Sequence, residues 1–135
     1  MLQWFSIPKN SNRRGVALVT HGLNLNPIRM KEIIDILNQR GIDALLLTFK
    51  GHETTMAESN TGSTSIERMK SFKQVTYEIW RDEITEAYSK VRSYADRVKK
   101  PLYFIGYSLG GLMGCDLMAT DSNVTFERMI LFAPA

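Results

Sequence analysis

Gly106-Tyr107-Ser108-Leu109-Gly110 sets a serine between two glycines. A serine hydroxyl attacks acyl carbonyls only when the chain lifts it into the open and something takes its proton. A sharp turn from strand to helix does the lifting, and it needs glycine at both flanks because a Cβ there would strike the neighbouring element. The context required is an apolar strand before the turn and an apolar helix after it. Leu102-Tyr103-Phe104-Ile105 precedes the motif, and Leu109 to Ala119 follows it. The bare pattern arises by chance in roughly one chain in twenty of this length, so the context carries the weight. Gly111 and Gly114 further permit close helix–sheet packing. The helix N-terminus would aim N–H groups at the reacting centre and favour developing negative charge.

Thr20-His21-Gly22-Leu23-Asn24 follows an earlier strand, at the same sheet edge. A backbone N–H there can join the one after the serine to form an oxyanion hole, which assigns the donors to Leu23 and Leu109. His21 then holds the loop by hydrogen bonds; direct proton transfer is the alternative. Phe49-Lys50-Gly51-His52-Glu53 closes the next strand. His52 either shapes the rim of the site or reaches Ser108 as an improvised base.

These residues need a scaffold, and the periodicities supply one. Val16 to Thr20 is β-rich, and a helix is expected from about Pro27 to Arg40, with Gly41 as its stop. Met30, Ile33, Ile34 and Leu37 make its apolar face. Ala44 to Phe49 reads as a strand buried on both sides. Gly51 to Ser65 is loop-like, and Thr64-Ser65-Ile66-Glu67 caps a short helix from Ile66 to Phe72. A long helix from Val75 to Val98 presents Tyr77, Trp80, Ile84, Ala87, Val91 and Tyr94 inward. The helix over Leu109 to Ala119 is apolar nearly all round and is expected to be buried, with Cys115 as a core thiol. Met129 to Phe132 is the fourth strand. Strand–helix alternation implies a parallel sheet with helices on both faces, an α/β fold. Ligands then bind beyond the carboxyl ends of the strands, just after Thr20, Phe49, Ile105 and Phe132.

Composition narrows the class. The chain has 135 residues, 44% hydrophobic and 23% charged, which suits one domain. Its formal charge of +3 is spread among acidic residues, with no basic run interleaved with aromatics, so nucleic acid is not indicated. No apolar run approaches a membrane span. The first eight residues lack a basic segment leading into an apolar one, so no signal peptide is read and a cytoplasmic location is expected. No residue cluster calls for a metal or organic cofactor.

Together these motifs resemble the α/β-hydrolase fold, in particular its lysophospholipase, monoacylglycerol-lipase and carboxylesterase-like members. The likeness runs from the strand before His21-Gly22, through Gly51-His52 and Gly106 to Gly111, to Leu131-Phe132-Ala133-Pro134-Ala135. It implies that the four strands lie in the order second, first, third, fourth, reversing at the first. It implies hydrolysis of a small-molecule ester or lipid through an acyl-enzyme on Ser108, with no cofactor. In that family an acid and then a histidine follow the serine in sequence. No histidine follows Ser108 here, and no later strand presents Asp116, Asp121 or Glu127, so this chain supplies neither triad acid nor triad histidine. Residues 1–135 are therefore expected to form the N-terminal portion of a longer domain. Acyltransferase or thioesterase chemistry would use the same serine. A non-catalytic binding or assembly module is the competing expectation, with copies pairing through an exposed edge at Met129–Phe132. Light scattering separates the two, since a strict monomer counts against such pairing.

Overall fold

A computed structural model describes residues 1–52, 70 and 72–133. Among these residues, five strands form one sheet: β1 (Leu2–Phe5), β2 (Gly15–Thr20), β3 (Ile42–Leu47), β4 (Leu102–Tyr107) and β5 (Arg128–Phe132). Their order is β1-β3-β2-β4-β5. The last four run parallel in the expected order, with the reversal at β2. The sheet is mixed rather than wholly parallel, because β1 pairs antiparallel with β3, Leu2 opposite Leu47 and Phe5 opposite Ala44. Four residues ahead of a proline are too few to show a period, and β1 exists because it covers the open edge of β3. The terminal amine of Met1 seals the pairing, donating to the Thr48 carbonyl at 2.7 Å.

Among the described residues, three helices cover the sheet: α1 (Met30–Gln39), α2 (Tyr77–Val98) and α3 (Leu109–Thr120), with a 3-10 turn at Pro27–Arg29 leading into α1. Alternate residues of each strand face opposite sides. Ala17, Val19, Ala44, Leu46 and Ile105 meet Met30 and Ile34 of α1. Val16, Leu18, Leu45 and Phe104 meet Ile84, Ala87 and Val91 of α2 and Met113 and Leu117 of α3. Helices thus lie on both faces, as right-handed crossovers require when the strand order reverses. Gly41, at φ +79°, ends α1, a conformation glycine adopts without a Cβ clash. Thr76 caps α2 through its hydroxyl, and Lys99 ends it in the left-handed region.

Some expected boundaries and burials shift. β3 begins at Ile42, because Gly15 to Thr20 pair with Ile42 to Leu47 and leave Thr48 and Phe49 beyond the ladder. The capping box at 64–67 lies outside the described residues, as does most of the short helix expected after it. Tyr77 is exposed rather than inward, since it opens α2 before the helix reaches the sheet. α3 is not buried all round: Gly110, Gly111, Met113, Gly114 and Leu117 face the sheet, while Leu112 and Met118 are exposed. Cys115 shares that outer stripe and is exposed, not a core thiol. Ile130 and Phe132 are exposed on β5, at the end of the sheet. Among the described residues, no helix is long and apolar enough to cross a membrane.

At the opposite end of the sheet from Ser108, the fully buried Asp43 ties three segments together. Its carboxylate accepts the Ile7 N–H at 2.8 Å and the Tyr94 hydroxyl at 2.8 Å, and it pairs with the Arg13 guanidinium. Burial, and then the hydrogen bond to Asp43, push the Tyr94 hydroxyl up from its ordinary pKa. Asp43→Ala removes the acceptor from all three donors, and urea unfolding should show a loss of about 3 kcal/mol. A change within about 0.5 kcal/mol, the range of an ordinary surface substitution, would show that the cluster holds nothing.

Candidate active site

Ser108 sits between the last residue of β4 and the first of α3, at φ 48° and ψ −117°. A non-glycine residue in that region is strained. Two bonds hold it there. Its N–H donates to the Phe132 carbonyl at 2.9 Å, and its carbonyl accepts the Leu112 N–H at 3.1 Å, so β5 and α3 grip the turn from both sides. The flanking glycines have measurable reasons. A Cβ on Gly106 would lie 2.6 Å from the Gly111 Cα, and one on Gly110 would lie 2.5 Å from the Thr20 Oγ1 and 2.7 Å from the His21 carbonyl oxygen. The second contact matters most, since it seats the first turn of α3 directly against the end of β2.

That seating brings the Leu23 loop and the Leu109 end of α3 to one place. Gly22, Leu23, Asn24, Leu25, Tyr107, Ser108, Leu109 and Ala133 line a cavity of about 400 Å³. Ser108 is half-buried at its wall. Leu109 opens α3, where first-turn N–H groups have no intrahelical partner. Among the described residues, no acceptor pairs with the Leu23 N–H. Tyr107, Asn24 and Ala133 were not singled out by sequence reasoning. Tyr107 is the variable position of the serine motif, and Ala133, at φ 43°, follows β5 where a strand-end site was expected. None of the described residues lining this cavity is a carboxylate or an imidazole.

Both histidines serve the loop after β2. His21 is fully buried. Its Nε2 accepts the Phe49 N–H at 3.0 Å, so the proton must sit on Nδ1, which donates to the Gly22 carbonyl at 2.8 Å. Burial pushes its pKa down to about 4. His52 is also buried, and its ring packs edge-on against His21 at 4.6 Å. Its Nε2 lies 2.7 Å from the Leu23 carbonyl. It lines a neighbouring cavity of about 370 Å³ with Leu23, Asn24, Leu25, Asn26, Gly51 and Phe72. The fold therefore gathers Ser108, Leu23 and Leu109 at one cavity, packs Gly106 against Gly111 and Gly110 against Thr20 beneath the turn, and sets His52 behind the loop that bounds the cavity.

The neutral state of His21 has a consequence for stability. The unfolded chain takes up a proton as pH falls through the ordinary histidine range near 6.5, while the folded chain resists until about 4. Stability contributed by the neutral ring is therefore complete above pH 6.5 and is lost between there and about 4, a fall of roughly 3 kcal/mol. Urea unfolding at pH 7 and pH 4 should show this loss, and His21→Gln should flatten it. An unchanged slope in the variant would assign the acid sensitivity elsewhere.

A mixed sheet whose four parallel strands reverse order at β2, helices on both faces and a serine on a strained turn at the carboxyl edge define the α/β-hydrolase class. The chain belongs to the serine aminopeptidase S33 family, whose pattern it matches over residues 11–135. Its fold is similar to that of a soluble variant of monoglyceride lipase from Saccharomyces cerevisiae, with a TM-score of 0.75 at 16% identity, covering 96% of this chain and 39% of the lipase. A thermostable carboxyl esterase from Bacillus coagulans gives 0.67 at 17% identity, covering 96% and 38%. A monoacylglycerol lipase from Paleococcus ferrophilus gives 0.57 at 20% identity, covering 100% and 43%. The chain thus spans about two fifths of these structures. A search of curated proteins gives no match.

Proposed function

We propose that this chain carries the nucleophile and oxyanion hole of a serine hydrolase acting on carboxylic esters. The observation that supports this most is the strained φ of Ser108 at a cavity it shares with Leu23 and Leu109. In this reading the Ser108 Oγ bonds to the acyl carbon, and the carbonyl π electrons move onto oxygen. The N–H groups of Leu23 and Leu109, with the α3 dipole behind them, stabilise that charge without reorganising. Collapse expels the alcohol, which takes a proton, and leaves an acyl-serine. Water then attacks the acyl carbon, releases the carboxylic acid and restores the hydroxyl. Leu23, Leu25, Leu109 and Ala133 give the cavity uncharged walls suited to an acyl group.

The protons need a base and an orienting acid. In our reading these come from sequence outside the 135 residues, which form the N-terminal portion of a larger catalytic domain in the cytoplasm. The partial coverage of the similar lipases and esterase supports this. The test is hydrolysis of a short-chain p-nitrophenyl ester by the whole protein, with Ser108→Ala beside it. Loss of turnover in the variant supports the reading, and equal turnover in both removes it.

A further inference from the structure

Oxyanion-hole donors are useful only if their peptide planes are held before charge develops. The loop after β2 has no secondary structure of its own to hold them. Its carbonyls, however, are both engaged. The Gly22 carbonyl accepts from His21 Nδ1 at 2.8 Å and from the Leu25 N–H at 3.3 Å, and the Leu23 carbonyl faces His52 Nε2 at 2.7 Å. A carbonyl can only accept, so His52 must carry its proton on Nε2. A trans peptide places its N–H opposite its C=O. Fixing the Gly22 carbonyl therefore turns the Leu23 N–H away from the His21 ring, and fixing the Leu23 carbonyl sets the next plane, through Asn24.

His52 can act in this way because it is itself held. The Lys50 N–H donates to Glu83 at 2.9 Å, and the Trp80 indole N–H donates to the Lys50 carbonyl at 3.1 Å, which anchors the segment to α2. The His52 N–H closes a turn on the Phe49 carbonyl at 3.1 Å. The His52 ring packs edge-on against His21 on one side and Phe72 on the other, at 4.6 and 5.2 Å.

We propose that His52 is a positioning residue: its Nε2–H, donated to the Leu23 carbonyl, sets the oxyanion loop of the Ser108 site. The inference rests on the reading that Ser108 is the nucleophile and the Leu23 N–H an oxyanion donor. It assigns His52 no proton transfer.

Substitution can tell positioning from base chemistry, because a glutamine amide nitrogen reaches about as far as histidine Nε2 whereas an asparagine amide reaches only as far as Nδ1. In the whole protein, His52→Leu and His52→Asn should each lower kcat on a p-nitrophenyl ester roughly 10- to 100-fold, with KM little changed. His52→Gln should recover most of the rate and keep the shape of the wild-type pH profile. An amide takes no proton at these pH values, so a glutamine variant as slow as the leucine variant overturns the proposal. So does a leucine variant as fast as wild type. A second readout needs no turnover: in ¹H–¹⁵N spectra, the Leu23 and Asn24 amides should shift and exchange faster in His52→Leu, and stay near their wild-type positions in His52→Gln. Amides that ignore the leucine substitution also overturn it. Turnover that survives Ser108→Ala would instead remove the underlying reading, while the amide spectra still judge the His52 contact.

Discussion

Ser108→Gly should yield a protein that is inactive and more stable than wild type. The serine is held at φ 48° and ψ −117°, a region that costs a non-glycine residue about 1–3 kcal/mol. Glycine removes that strain, at an entropic cost in the unfolded chain of about 0.5–1 kcal/mol. The balance is a gain of about 1 kcal/mol in urea unfolding. Turnover of an ester should fall by roughly 10³-fold or more, leaving only what binding and the oxyanion hole supply. Ser108→Ala separates the two effects, because it loses the hydroxyl and keeps the strain: its activity should fall equally while its stability stays within about 0.5 kcal/mol of wild type. If glycine destabilises and alanine does not, the turn is not strained and the argument for its purpose fails.

The second large effect concerns the seat of α3. Gly106→Ala drives a Cβ to 2.6 Å from the Gly111 Cα and 2.7 Å from its nitrogen. Both are backbone atoms of the helix carrying Leu109, so the helix must move. A loss of about 3 kcal/mol is expected, together with loss of activity, since the Ser108–Leu23–Leu109 geometry depends on that approach. Gly114→Ala meets something softer. Its Cβ would lie 2.3 Å from the Phe104 ring, a fully buried side chain. The clash outweighs the roughly 1 kcal/mol alanine gains over glycine in a helix. A Cβ on Gly106 would also lie 2.7 Å from the Phe104 ring, so Phe104→Leu should restore much of the stability of Gly114→Ala but only a minor share of Gly106→Ala, which still meets the Gly111 backbone. An equal rescue of both variants would place the Gly106 clash at the Phe104 ring and not at the helix backbone.

The positions of the strands and helices were legible because their signals are local. The apolar runs at Val16, Ala44, Leu102 and Met129 marked the four parallel strands, and the resemblance supplied their order, which the registers bear out. Strand β1 was not legible: Leu2–Phe5 is too short for a period and owes its existence to the edge of β3. Cys115 was misread because composition cannot say which stripe of an apolar helix meets the sheet. The gathering of Leu23 and Leu109 beside Ser108 followed from strand ends sharing one edge. The service His52 gives to the Leu23 carbonyl did not, since it joins residues 29 apart in sequence. Asp43 was equally silent, as a lone aspartate inside a strand pattern announces no partner until Ile7 and Arg13 of the β1–β2 connection and Tyr94 of α2 arrive beside it.

The most direct test of the central claim is intact-protein mass spectrometry of the whole protein after incubation with a fluorophosphonate, followed by digestion. The probe forms a stable phosphonyl ester only with a hydroxyl that is both exposed and activated, and its phosphoryl oxygen calls on the same donors as a tetrahedral intermediate. We predict one adduct per chain, on the peptide containing Ser108, and none in Ser108→Ala. No adduct on the wild-type protein, or an adduct that persists in the variant, would contradict the assignment of Ser108 as nucleophile.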